Sequence, residues 1–150
     1  MERPIEIDPA TLAVTLFEQG FTCSQAVLAG FAGRYGLARG AALRVACAFG
    51  SGMARCASTC GAVTGALMAI GLAYGRTRIE DEVARENTYG AARTFLDRFR
   101  QEHGSDLCRE LLGIDIGSLE GREAAAKAGL FQTRCPAFVR SAAKIVSSLT

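Results

Sequence analysis

TCGAVTGALMAIGLAYG, residues 59–75, is the stretch on which the fold class turns. Thr59 is of a type that caps helix N-termini, and 15 weakly polar residues, Cys60 to Tyr74, follow it. That length is short of the ~20 residues needed to cross a bilayer, so the segment reads as a helix buried in a protein core. Gly61, Gly65 and Ala69 recur at a spacing of four and leave one helix face almost bare of side chains. Another helix can approach closely there, or a cofactor or a partner backbone can lie along it. Close helix packing is the preferred reading.

Outward from this helix, Gly, Pro, Ser and Thr divide the chain into about six or seven helical pieces. Asp8-Pro9 predicts an N-cap with Pro at the first helical position, and Gly20 a stop. Thr22, with Gln25 three residues on, predicts a capping box opening a second helix, with Leu28 and Phe31 inward and Gly36 at its end. A third piece runs from about Ala41 to Phe49 into the loop Gly50-Ser51-Gly52, while Met53 to Thr59 matches no element. After residue 75, a long amphipathic helix is expected from near Thr77, with Glu80 as box partner. It carries Ile79, Val83, Phe95 and Phe99 on its apolar positions and stops at Gly104. Ser105 predicts the cap of a short helix with Leu107, Leu111 and Leu112, closed by Gly113, and Glu123 to Ala128 reads as helical. Cys135-Pro136 opens the last helix, with Phe138, Val139, Ala142, Ile145 and Val146 at core spacing. No run alternates with a period of two, and no Asn-Gly or Asp-Gly hairpin turn occurs. The expectation is one all-α domain over residues 1–150, a compact helical bundle.

A chain of 150 residues buries well over half of its unfolded surface, so its six cysteines are not needed as staples. The hydrophobic fraction of 49% and the absence of Trp suit closely packed helices better than a strand-rich sandwich. Net charge is +2, and the arginines, Arg34, Arg55, Arg78, Arg100 and Arg122 among them, are dispersed. They form no basic stripe, which excludes nucleic acid as an expected partner. The N-terminus, MERPIEIDPATL, has no apolar stretch long enough for an export signal. The expected compartment is therefore the cytoplasm, where thiols are kept reduced and cysteines serve metal binding or redox chemistry more often than disulfide frameworks.

The cysteines fall into a pattern on this map. Cys23 follows the Thr22 cap, Cys60 follows Thr59, Cys108 lies three residues past Ser105, and Cys135 directly precedes Pro136. Each is placed in or at the first turn of a helix, where unpaired amides and the positive end of the dipole favour thiolate over thiol. Cys47 lies among Val45, Ala46, Ala48 and Phe49 and is expected in the core. Cys56, beside Arg55 and four residues before Cys60, would share a face with Cys60 if that segment were helical, making a dithiol pair. Against these, there is no C-x-x-C, no C-x-x-C-H, and no glycine-rich nucleotide loop. The one histidine, His103, is expected to favour the dipole at the end of the long helix. The four helix-start cysteines are separated by 36, 47 and 26 residues, unlike the paired close ligands of zinc sites. Their ligand type allows a metal or iron–sulfur site that their spacing does not announce.

These residues resemble a family of redox-active proteins defined by four cysteines and a C-G-A-x-x-G motif. The resemblance rests on FTCSQAVLAGF around Cys23, on Cys60-Gly61-Ala62-Val63-Thr64-Gly65, on LCRELLGID at Cys108 and on RCPAFVRSAAKIV at Cys135. It implies a redox role for the four cysteines and, from family genes lying near transporter genes, a redox partner linked to a transport system. The chain is also similar to the cluster-bearing part of a split-Soret cytochrome, which implies an iron–sulfur cluster. Cys47 and Cys56 lie outside the pattern.

Three readings of function follow. In the first, Cys23, Cys60, Cys108 and Cys135 converge to ligate an iron–sulfur cluster or another metal, or to cycle between thiol and disulfide with Cys56 as a partner for Cys60. Gly61 and Gly65 would then lie against the cofactor. In the second, the thiols hold zinc or copper without electron transfer. In the third, the thiols are inert and the Gly/Ala face makes a homodimer.

Overall fold

The computed structural model describes residues 6–150; the first five residues of the stretch read for an export signal lie outside the described residues. Its helices are α1 (Pro9–Glu18), α2 (Cys23–Ala32), α3 (Arg39–Ala46), α4 (Gly61–Tyr74), α5 (Glu82–His103), α6 (Cys108–Leu112), α7 (Leu119–Lys127), α8 (Leu130–Thr133) and α9 (Cys135–Leu149). Seven of them are eight residues or longer, and no β-strand occurs among the described residues. The all-α expectation holds. No helix among the described residues is long and apolar enough to cross a membrane.

Capping explains most boundaries. Asp8 accepts the Thr11 amide at 3.0 Å, with Pro9 as the first helical residue of α1. The Thr22 amide donates to Gln25 Oε1 at 3.1 Å, the returning half of the expected box. Gly36, Gly104 and Gly113 take left-handed conformations where stops were expected. Two starts differ. The long helix begins at Glu82, capped by Asp81, whose side chain accepts the Ala84 amide at 3.0 Å. Thr77 lies instead in the non-helical connection that leaves α4. Ile79 (84% exposed) and Val83 (71%) are consequently outside the core, whereas Phe95 and Phe99 are fully buried. The short helix starts at Cys108 with Leu107 as its cap, because Ser105 spends its hydroxyl on the Leu107 amide at 3.0 Å.

The core is built on α4, against which α2, α5 and α9 pack; α1 closes over α2 and α9. Phe31, Phe95, Phe99, Ile70, Val63 and Val139 are among the side chains buried here, each worth about 1.5–3 kcal/mol. The glycine face of α4 meets α2: a Cβ at Gly65 would lie 2.7 Å from Ser24 O and 3.1 Å from Val27 Cβ. This is the close packing preferred from the sequence, and it is made within one chain. Because α2 fills it, the face is not open for the homodimer of the third reading. Ser24, itself fully buried, donates from Oγ to the Ala46 carbonyl at 2.8 Å, and Gln25 Nε2 donates to the Leu43 carbonyl at 3.0 Å. The start of α2 is thereby tied to α3 as well as to α4.

The segment that matched no element has an unusual cause. Ser51, Gly52, Met53, Ala54 and Arg55 all have φ between 52° and 68°, and Ala57 follows at 55°. This is a left-handed turn, which costs about 1–2 kcal/mol for each residue bearing a Cβ. Its amides are satisfied locally: Ala54 on the Ala48 carbonyl, Cys56 on Met53 and Ser58 on Gly52, each at 2.9 Å. Gly52 has no alternative, since a Cβ there would lie 2.7 Å from both Ala57 Cα and the Ser58 nitrogen. The expected third helix is likewise interrupted. α3 stops at Ala46 and Cys47–Phe49 forms a 3-10 turn, so Cys47 is exposed rather than in the core.

The α2–α4 contact predicts a sharp contrast between two glycines of one helix. Gly65→Ala should destabilise the fold by about 1–3 kcal/mol through overpacking. Gly71→Ala, where nothing lies within 4 Å of the added methyl, should be neutral or stabilising by up to about 1 kcal/mol. Thermal melts of the two variants check this; equal melting temperatures would contradict the packing described.

Candidate functional site

The same few helix starts that anchor the core also carry the cysteines. Cys23, Cys108 and Cys135 are the first residues of α2, α6 and α9, and Cys60 is the N-cap of α4. Thr59, expected as that cap, is instead engaged in an antiparallel bridge with Leu107. Around the bridge, the Cys60 amide donates to the Asp106 carbonyl and the Cys108 amide to the Ser58 carbonyl, both at 2.7 Å. Two cysteines 48 positions apart in sequence are thus pinned by their own backbones. Arg134 links the other pair of elements, donating from Nη1 to the Leu111 and Leu112 carbonyls at 3.3 Å each. That contact satisfies orphan carbonyls at the end of α6 and brings the start of α9 beside it.

All four sulfur-bearing residues line one cavity of about 500 Å³. Its walls are largely apolar, with Phe17, Phe21, Leu111, Ile116, Phe131 and Phe138 among them, and Gly61, Ser51 and Gly52 complete one side. Cys60, Cys108 and Cys135 are buried and Cys23 is half-buried. Gly61 reaches the cavity, whereas Gly65, also expected beside a cofactor, is spent on packing against Ser24. Cys56 is exposed, outside the cavity, and on a left-handed segment, so the helix face it was expected to share with Cys60 does not exist. His103 packs between Phe99 and Phe138, with centroids at 4.6 and 5.1 Å. Burial lowers its pKa against the opposing effect of Glu102, so a charged partner for the helix dipole is not what it supplies.

The electrostatics differ from the expectation of four readily ionised thiols. Burial pushes Cys60 up to about 12, although the Ala62 and Val63 amides at the helix start stabilise its thiolate. Burial raises Cys108 to about 11, with further repulsion from Cys135 and Asp115. Interaction with the Cys135 side chain holds Cys23 well above the ordinary range; burial and repulsion from Cys60, Cys135 and Cys108 add to this. The same interaction lowers Cys135 despite its burial. The helix amides act as anticipated on Cys60, but desolvation is the larger effect. Of the four chamber thiols, Cys135 is the one whose ionisation is eased rather than hindered.

All six cysteines are free thiols, and among the described residues no set of three or more His, Cys, Asp or Glu side chains is gathered as a metal-ion site. The four chamber thiols surround a space without meeting at one point.

A protein-family model described as "Putative redox-active protein (C_GCAxxG_C_C)" matches residues 21–149. The chain belongs to this family. Its members' printed pattern places glycine before the second cysteine; this chain has Cys60 first and Gly61 after it, which puts the sulfur at the N-cap and the glycine against Ser24 and Cys23. No curated protein and no solved structure matches the chain. The bridge at Thr59 and Leu107 and the aromatic wall were invisible in the sequence reading; a single bridge pair leaves no periodicity to find.

Reactivity should follow burial and charge. In the reduced, metal-free protein, iodoacetamide should modify exposed Cys47 and Cys56 first, Cys135 next, and Cys60 and Cys108 last, as read by peptide mass spectrometry. Because the folded pKa values of Cys60 and Cys108 are raised above the ordinary 9.0, folding is unaffected by these groups below pH 9. Stability should be lost as pH rises from 9 towards about 11 and 12. Denaturant melts that stay level across that range would contradict the burial of these thiols.

Proposed function

We propose that this redox-family protein is an electron carrier in which Cys23, Cys60, Cys108 and Cys135 ligate an iron–sulfur cluster. The observation that carries the reading is the arrival of four thiols, from four separate helix starts, at the wall of one cavity of about 500 Å³. The donor set fits: four soft sulfur ligands with an apolar surround. A cluster would suit these ligands better than a single zinc or copper ion, since the four line one cavity and no three of them are gathered as a single-ion site. The raised thiols point the same way, since a group costly to ionise alone is readily ionised next to a cation. Bound there, a cluster supplies one-electron transfer. The chain itself would hold the ligands through the Cys60 and Cys108 backbone bonds and exclude water with its phenylalanines. The Ala62 and Val63 amides would offset negative charge at the Cys60 sulfur.

A second reading is favoured by the coupling of Cys23 and Cys135, which line the same cavity and whose interaction raises one thiol and lowers the other. In it the Cys135 thiolate attacks a partner disulfide and releases one partner thiolate. Cys23, losing its proton, then displaces the second, leaving a Cys23–Cys135 disulfide in the chain and two thiols on the partner. The partner in either reading is a redox protein, linked to a transport system as the family resemblance implies.

Anaerobic purification followed by absorption spectroscopy with iron and sulfide analysis separates the readings. Visible bands with stoichiometric iron and sulfide, lost in Cys60→Ser and Cys108→Ser, are the expected result. Stoichiometric zinc or copper without a redox-dependent spectrum would replace the cluster by a metal store. A colourless, metal-free protein that forms a Cys23–Cys135 disulfide would establish exchange in its place.

A further inference from the structure

Beside the thiol chamber lies a second, open cavity of about 410 Å³, lined by Ser51, Arg55, Ile116, Arg122, Glu123 and Phe131 among others. Ser51, Ile116 and Phe131 wall both cavities, so this groove and the chamber share a partition one side chain thick. Two arginines and one glutamate line it, which leaves the groove with a net positive charge. Among the described residues, neither Arg55 nor Arg122 enters an ion pair. Arg122 donates from Nη1 to the Ile116 carbonyl at 3.3 Å and the Gly117 carbonyl at 3.4 Å, which holds the group in place and leaves its Nε and Nη2 available. Arg55 and Ser51 arrive on the left-handed turn, at φ 67° and 57°. Backbone strain of that kind persists where the surrounding structure enforces it, and here it brings both side chains to one groove.

We propose that this groove binds the carboxylate of a small anionic molecule and holds it against the wall of the thiol chamber, a proposal that rests on the chamber being the redox centre. Guanidinium groups present paired donors that match a carboxylate. Ile116 and Phe131 offer an apolar surface to the carbon body of the same molecule. Glu123 limits the excess charge, which fits a small carboxylate and disfavours a polyanion such as nucleic acid.

Calorimetric titration of the full-length protein with malonate at low ionic strength tests this, with neutral malonamide as the control. Saturable malonate binding, no malonamide binding, and affinity weakened about five- to tenfold in both Arg55→Gln and Arg122→Gln are expected. Arg93→Gln, on the exposed face of α5, should bind as the wild type does. Arg55 is exposed and tests the groove even if Arg122→Gln disturbs the Ile116 and Gly117 contacts. No saturable heat, equal binding of malonamide, or unchanged affinity in both variants would overturn the proposal. Iron and sulfide analysed on the same samples keep the two claims apart. Wild-type protein that holds its cluster but binds no malonate refutes the groove alone, and wild-type protein that binds malonate without a cluster or reactive chamber thiols refutes the redox centre and with it the ligand's proposed role there.

Discussion

The contact on which the rest of the structure depends is the approach of the α4 glycine face to the backbone of Ser24. Gly65 brings two helices within a distance that a Cβ would not tolerate, 2.7 Å from the Ser24 carbonyl, and at Gly61 an added methyl would be tight at 3.0 Å from the Ser24 nitrogen. The consequence at the site is direct. Cys23 opens one of these helices and Cys60 caps the other, so their separation is set by main-chain packing rather than by side-chain choice. Ser24 answers for its own burial by donating to the Ala46 carbonyl, which extends the same rigid contact to α3.

The other two cysteines reach the chamber by independent means. Cys108 is held through the bridge that pairs Thr59 with Leu107, and Cys135 through Arg134 and the carbonyls that end α6. Both devices are polar and join residues distant in sequence, and both use backbone groups that would otherwise be unsatisfied. The result is a rigid frame around a cavity with apolar walls. Within it, burial outweighs the helix-start amides for Cys60 and raises Cys108 as well, while interaction with Cys23 lowers Cys135 alone among the four. Convergent helix starts therefore do not produce four thiolates by themselves, because desolvation opposes the helix-start amides.

The left-handed turn at residues 51–57 stands out from this economy of helices. It carries exposed Cys56, borders the chamber with Ser51 and Gly52, and presents Arg55 to the neighbouring groove. A turn that costs this much in conformational energy is retained by the contacts of Gly52 with Ala57 and Ser58. Through Ser51 it borders both cavities.

Much of this was legible in residue order. The stops at Gly36, Gly104 and Gly113, the cap at Asp8, the core positions of α9 and the placement of four cysteines at helix starts all follow from local rules, because capping and periodicity act within a few residues. The family pattern, too, is a property of sequence. What local rules could not reach was long-range or left-handed. The exposure of Cys47, Ile79 and Val83 depends on which faces other helices cover, and the order of thiol acidities on how deeply each is buried. The gathering of Cys23, Cys60, Cys108 and Cys135 about one cavity required pairings across tens of residues, made by backbone hydrogen bonds and a glycine crossing. Sequence by itself determined the helices and their reactive ends; tertiary structure alone decided that those ends meet, because desolvation and close packing exist only between segments.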